Sequence, residues 1–227
     1  MGLILNIETS TKTCSIAIGK NGVLISEKLI RSDQFVHGEK LHLLIKELFN
    51  QENIQLRNLD AIAISSGPGS FTGLRIGVAS AKGLAYAIKK PLISVVTTDL
   101  MMECYHPKTK TENSIFFPMI DARREEVYTA GYDLKKNRIW KVEALVVNQE
   151  FFKRLKDFDK IYFIGEGAGK FKNTIQQKNI FIDDTPITKA KGMLGISNKK
   201  LLKKDFEDLA YFNPFYLKDF TPHKKNS

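Results

Sequence analysis

Cysteine is nearly absent from this chain, and so are several other features that would assign it to a class at once. Two thiols in 227 residues, Cys14 and Cys104, are too few for a disulfide framework. No apolar run approaches the roughly 20 residues that a helix needs to cross a bilayer, so no membrane span is expected. The start Met1-Gly2-Leu3-Ile4-Leu5-Asn6 lacks the basic region and cleavage site of a signal peptide, and the expected location is cytoplasmic. Acidic residues are in deficit, 25 Asp and Glu against 35 Lys and Arg, for a net charge of +10. Either a polyanionic neighbour or a solubilising surface accounts for that excess. The lysines gather in the second half, at Lys135-Lys136, Lys189, Lys191, Lys199-Lys200, Lys203-Lys204 and Lys224-Lys225, with few aromatics among them. That pattern suits phosphate contacts and gives no sign of base readout.

What is present is organised around Gly67-Pro68-Gly69-Ser70-Phe71-Thr72-Gly73-Leu74-Arg75-Ile76-Gly77. An apolar strand pattern over 59–65 precedes it, and a helix rich in small residues runs on to residue 88, with Thr72 as the expected N-cap. Gly73, Gly77, Ala79, Ala81, Gly83, Ala85 and Ala87 give up burial and helix propensity, which implies a partner packed very close. That partner is the chain's own sheet, a second protein, or one on each face. The stretch lacks the Lys-Ser/Thr of a phosphate loop and the three-glycine spacing of a dinucleotide loop.

Read in order, residues 3–7, 14–18 and 23–29 are strands, the last two joined by a Gly-Lys-Asn-Gly hairpin turn. Residues 34–50 form an amphipathic helix with Leu41, Leu44, Ile45, Leu48 and Phe49 on one side. A strand over 91–96 and a short helix opened by Thr98-Asp99 complete a first domain, 1–108, ahead of a polar linker. In the second domain, 109–227, strands are expected over 115–120, 126–132, 138–147 and 161–164, and helices over 149–156, 190–203 and from Gly165 to about residue 177. Gly165 and Gly167 could offer free backbone amides to an anion, or merely make a tight turn. Tyr211-Phe212-Asn213-Pro214-Phe215-Tyr216-Leu217-Lys218 is expected to dock back on the body.

Several of these stretches together resemble the bacterial TsaB (YeaZ) family of tRNA threonylcarbamoyladenosine biosynthesis. They are residues 4–18 with Glu8-Thr9-Ser10, the 67–77 run, Ile120-Asp121-Ala122-Arg123 with Glu126-Val127-Tyr128, residues 165–169, and Pro214-Phe215-Tyr216-Leu217-Lys218. The resemblance implies an α/β, two-lobed fold of the actin, Hsp70 and sugar-kinase (ribonuclease H-like) type. It also implies a noncatalytic subunit that pairs with a TsaD-like catalytic subunit, is joined by a TsaE-like ATPase and meets tRNA through the complex. A homodimer on the same surface is a further expectation. The interface is expected on the two helices, at Leu41, Leu44, Leu48, Gly73, Arg75, Ile76, Ala79, Lys82, Gly83 and Tyr86.

The alternative is an autonomous ATP-dependent transferase or ATPase of the same fold. The kinase-like resemblance calls for a carboxylate on the first strand and a small residue two places on, where this chain has Glu8 and Ser10. The longer side chain and the missing glycine spoil close approach to a phosphate, so Glu8 reads as a cap for its own loop. The catalytic relative is expected to use two histidines four apart; His37 and His42 are five apart, about 140° around a helix. No cofactor, metal site or catalytic residue is therefore expected, with Glu8, Ser10, Gly165 and Gly167 the only cofactor-binding candidates. Asp121, Arg123, Glu126 and Tyr128 form either a polar network or the remnant of a site.

Overall fold

The computed structural model describes residues 2–32, 36–108 and 111–218. The chain opens with β1 (Leu3–Glu8), β2 (Thr13–Lys20) and β3 (Val23–Arg31). Asn21 and Gly22 join β2 to β3 with φ of 55° and 82°, the left-handed pair that a two-residue hairpin loop demands. Next come α1 (His37–Gln51), β4 (Ala61–Gly67), α2 (Phe71–Ile88), β5 (Leu92–Val96) and α3 (Thr97–Cys104). The strands make one sheet in the order β3-β2-β1-β4-β5, antiparallel from β1 through β3 and parallel from β1 through β5.

Residues of β4 are buried throughout, as a strand covered on both faces requires. On one face α1 and α2 seal a core in which Leu41, Leu44 and Leu48 meet Leu5, Ile62 and Val78. On the other, α3 contributes Leu100 and Met101 against Ile4, Ala63 and Ile93. The order of strands and helices along this first part of the chain is the one expected from the sequence.

Beyond it lie β6 (Ser114–Pro118), β7 (Ile120–Asp121), β8 (Glu126–Thr129), β9 (Glu143–Val146), α4 (Gln149–Lys153), β10 (Lys160–Ile164), β11 (Ile180–Asp183) and α5 (Leu194–Lys203). Strands β6, β10 and β11 pair in parallel, while β7, β8 and β9 form a separate antiparallel sheet. An aromatic core ties them together: Phe117 meets Trp140, Phe151 and Phe163 edge-on, with centroids 5.4, 5.3 and 5.9 Å away. Helix α5 then returns to the first sheet, where Ser197 Oγ donates to the buried Asn6 Oδ1 at 2.8 Å.

Three expectations need correction, and one strand was missed. Ser70, not Thr72, caps α2: its Oγ accepts from Gly73 N at 3.2 Å, and Thr72 lies inside the helix. The glycine-rich run after β10 is a short 3-10 helix, Glu166–Phe171, because its glycines cannot carry a regular helix on to residue 177. The strand expected over 138–147 contracts to β9, with Arg138 reduced to an isolated bridge on Tyr132. Strand β11 was not legible at all. Gln34 and the lysines Lys224 and Lys225 fall outside the described residues.

Candidate functional site

The end of β1 carries two of the cofactor-binding candidates, Glu8 and Ser10, and it is closed by the chain itself. Glu8 is wholly buried, and its Oε1 accepts from both the amide and the hydroxyl of Ser10, each at 2.5 Å. Burial pushes the Glu8 carboxyl up to about 7, against the pull of the Ser10 bonds and the Ser65 hydroxyl. Glu8 and Ser10 thus come together, but bonded to one another; the carboxylate caps its own loop as the sequence suggested. The glycines of the organising stretch complete the closure. Gly69 packs on the Ser10 backbone, Gly73 on the Thr9 carbonyl and Gly77 on the Thr9 hydroxyl, each leaving no room for a methyl group.

Across from it, the two glycine amides that were candidates for an anion, those of Gly165 and Gly167, are already bonded within the chain. Gly165 N donates to Asp183 O at 2.8 Å, Gly167 N to Met119 O at 3.0 Å and Ala168 N to Gly165 O at 2.9 Å. Gly165 holds φ at 91°, and a Cβ on Gly167 would stand 2.7 Å from Met119 O. Gly165 and Gly167 are therefore there for backbone packing, and the tight-turn reading replaces the anion-cradle one. Arg31 reaches across to Glu166 of this loop at 3.2 Å.

The expected interface residues separate into distinct groups. Leu41, Leu44 and Leu48 are at most 5% exposed and belong to the core between α1 and the sheet, so they are corrected from interface to core. Gly73 is buried against Thr9, and Ile76 is half-buried on the same core. Arg75, Ala79, Gly83 and Tyr86 remain exposed, spaced at three and four residues along one face of α2. A Cβ on Gly83 would meet none of the described residues within 4 Å.

Part of this face is already occupied by the C-terminal segment, a feature hinted at only by the aromatic cluster. Glu207 bridges antiparallel to Leu92 at the edge of β5. Lys82 donates to the carbonyls of Ala210 and Phe212 at 3.0 and 3.1 Å, and Phe215 N donates to Ser66 O at 2.7 Å. The Tyr216 ring lies 5.0 Å from that of Phe71, over which the Arg75 guanidinium stacks at 3.9 Å. Lys82 and Arg75 are thereby engaged within the chain. Lys218 ends the described segment in an ion pair with Glu126.

Asp121 and Glu126 belong to a network that sequence reading only half identified, because Lys170 at its centre carried no local signal. Its ammonium meets Asp121 Oδ1 at 2.5 Å and donates to the carbonyls of Arg124 and Glu126 at 2.8 and 3.0 Å. It braces a turn in which Arg123 and Arg124 both take positive φ, 67° and 49°. His37 and His42 face different partners, Thr11 O at 2.8 Å and Ser80 Oγ at 3.1 Å. Among the described residues, no three His, Cys, Asp or Glu side chains gather as metal ligands would. Burial pushes the Cys14 and Cys104 thiols up to about 12 and 11, so both stay protonated at neutral pH.

Comparison with known proteins places this arrangement. The family model described as TsaD, tRNA N6-adenosine threonylcarbamoyltransferase, matches residues 33–221. The tRNA threonylcarbamoyladenosine biosynthesis protein TsaB of Escherichia coli is 27% identical over 228 residues, covering 98% of this chain and 97% of that one. The TsaB of Buchnera aphidicola from Acyrthosiphon pisum is 36% identical over 140 residues, which span 61% of each chain. Among solved structures, YeaZ from Pseudomonas aeruginosa superimposes with a TM-score of 0.77 at 23% identity, over 96% of this chain and all of that one. Among the described residues no helix is long and apolar enough to cross a membrane. With the family model matching residues 33–221 and relatives aligned from end to end, the chain belongs to the TsaB family of tRNA threonylcarbamoyladenosine biosynthesis, within the wider threonylcarbamoyltransferase family.

Proposed function

We propose that this chain is the noncatalytic subunit of a tRNA threonylcarbamoyladenosine-forming complex, pairing with a TsaD-like catalytic subunit through α2 and helping to recruit a TsaE-like ATPase. The observation that carries the reading is the contrast between the two faces of α2. Its inner glycines, Gly73 and Gly77, are consumed by Thr9, and Gly69 just before the helix by Ser10, which shuts the place where a nucleotide phosphate would sit. Its outer face leaves Ala79, Gly83 and Tyr86 exposed, with none of the described residues within 4 Å of a Cβ on Gly83. Small residues beside an exposed tyrosine suit the close approach of a second protein. The amides of Gly165, Gly167 and Ala168 are likewise occupied, which weighs against the ATPase alternative. The test is reconstitution with the catalytic subunit of the same organism. Modification of tRNA should require this chain, and isothermal titration of the isolated chain with ATP and magnesium should show no turnover; turnover by the chain alone would overturn the reading.

A further inference from the structure

The backbone around Tyr211 is fixed from several directions. Lys82 of α2 donates to the carbonyls on either side of it, Ala210 O at 3.0 Å and Phe212 O at 3.1 Å. Asp208 Oδ1 accepts from the amides of Ala210 and Tyr211 at 2.8 and 3.1 Å, and Phe212 N donates to Asp208 O at 2.8 Å. Leu209 and Phe212 anchor the same turn on the core beneath. Yet the Tyr211 side chain is 82% exposed, the most exposed large apolar side chain among the described residues. Tyr86, one helical turn from Lys82, follows at 77%. A ring held out in water by a rigid backbone costs little further ordering when a partner covers it, and tyrosines in that state are frequent anchors of protein interfaces.

We propose that Tyr211 is a partner-contact residue, an aromatic anchor which extends the α2 face onto the C-terminal segment, with Lys82 as its positioning residue. The inference rests on the reading that α2 pairs with the catalytic subunit. It adds that the partner offers an apolar pocket for Tyr211 next to the cleft that receives Ala79 and Gly83. Charge selects between a partner of another kind and a second copy. Lys82 on α2 and Lys89 and Lys90 directly after its end belong to a chain of net charge +10, so two copies would bring like charges together, whereas a partner with an acidic rim is attracted.

Affinity of the full chain for its catalytic subunit, measured by isothermal titration, tests this. Tyr211→Ala should weaken pairing by about tenfold or more, and Tyr211→Phe should keep most of the affinity. Lys82→Ala should weaken pairing less and should expose the bond after Tyr211 to chymotrypsin, a change that Tyr86→Ala would not cause. Gly83→Trp serves as the control on the α2 reading. If Gly83→Trp abolishes pairing while Tyr211→Ala leaves it unchanged, the Tyr211 proposal fails and the α2 reading stands. If neither changes pairing, the α2 reading fails and takes the proposal with it. A loss confined to self-association of this chain would also overturn it.

Discussion

Gly77 of α2 lies against the side chain of Thr9 so closely that a methyl group at that position has nowhere to go. Six residues on, Gly83 has open space around it. The two glycines share a helix and a residue type but answer to different neighbours. Gly77→Ala should therefore destabilise the chain by about 1–3 kcal/mol through overpacking, whereas Gly83→Ala should stabilise it by about 0.5–1 kcal/mol through helix propensity. Chemical denaturation of the two variants measures both. Equal effects would contradict the packing described.

Glu8 makes a prediction in pH. Its carboxyl is raised from 4.5 to about 7 in the folded chain, so between those values the folded state keeps a proton that the unfolded state has lost. Its contribution to stability is therefore complete below pH 4.5 and is lost as pH rises through about 7, by roughly 3 kcal/mol at most. His37, held below its ordinary value by burial, acts in the opposite sense at acid pH, so the comparison must be with a variant. Glu8→Gln should flatten the decline between pH 4.5 and about 7 and be no less stable than the parent above it. In the reconstituted complex the same variant should leave tRNA modification near its original rate. Identical pH slopes would refute the burial account, and a large rate loss in an assembled complex would refute the scaffold reading.

Leu41 and Ala79 separate folding from pairing. Leu41 is fully buried, and Leu41→Ala should cost about 2–5 kcal/mol in denaturant without revealing anything about a partner. Ala79→Trp points into water, so circular dichroism should report an intact fold while gel filtration with the catalytic subunit reports lost pairing. Retained pairing in a folded Ala79→Trp chain would exclude α2 as the interface.

The lysine-rich surface should bind tRNA weakly on its own. Filter binding of the isolated chain should fall steeply between low and physiological salt, because contacts to phosphate release counterions. Tight, salt-insensitive binding would point instead to base recognition.

The first sheet was legible because its strands are short apolar runs with hairpin chemistry between them, and α1 because its leucines keep a helical period. That period records that one side of a helix is buried without naming what buries it. Leu41, Leu44 and Leu48 were assigned to a partner for that reason, when their own sheet was the answer. The small residues of α2 carried the converse ambiguity, and it resolved by position: Gly73 and Gly77 face Thr9, while Ala79 and Gly83 face water. The roles of Lys82, Lys170 and Lys218 had no local signature, since each bonds to groups more than forty residues away in the chain.

The bridge from Glu207 to Leu92 closes an edge that β5 would otherwise leave open. Because synthesis runs from the N-terminus, the strands of the first sheet exist long before the residue that covers them. During translation the start of β5 therefore stays open to strands of neighbouring nascent chains until the last stretch described here reaches Leu92. A chain interrupted after α5 would keep the whole sheet and lose that bridge, leaving the start of β5 open to edge-to-edge pairing.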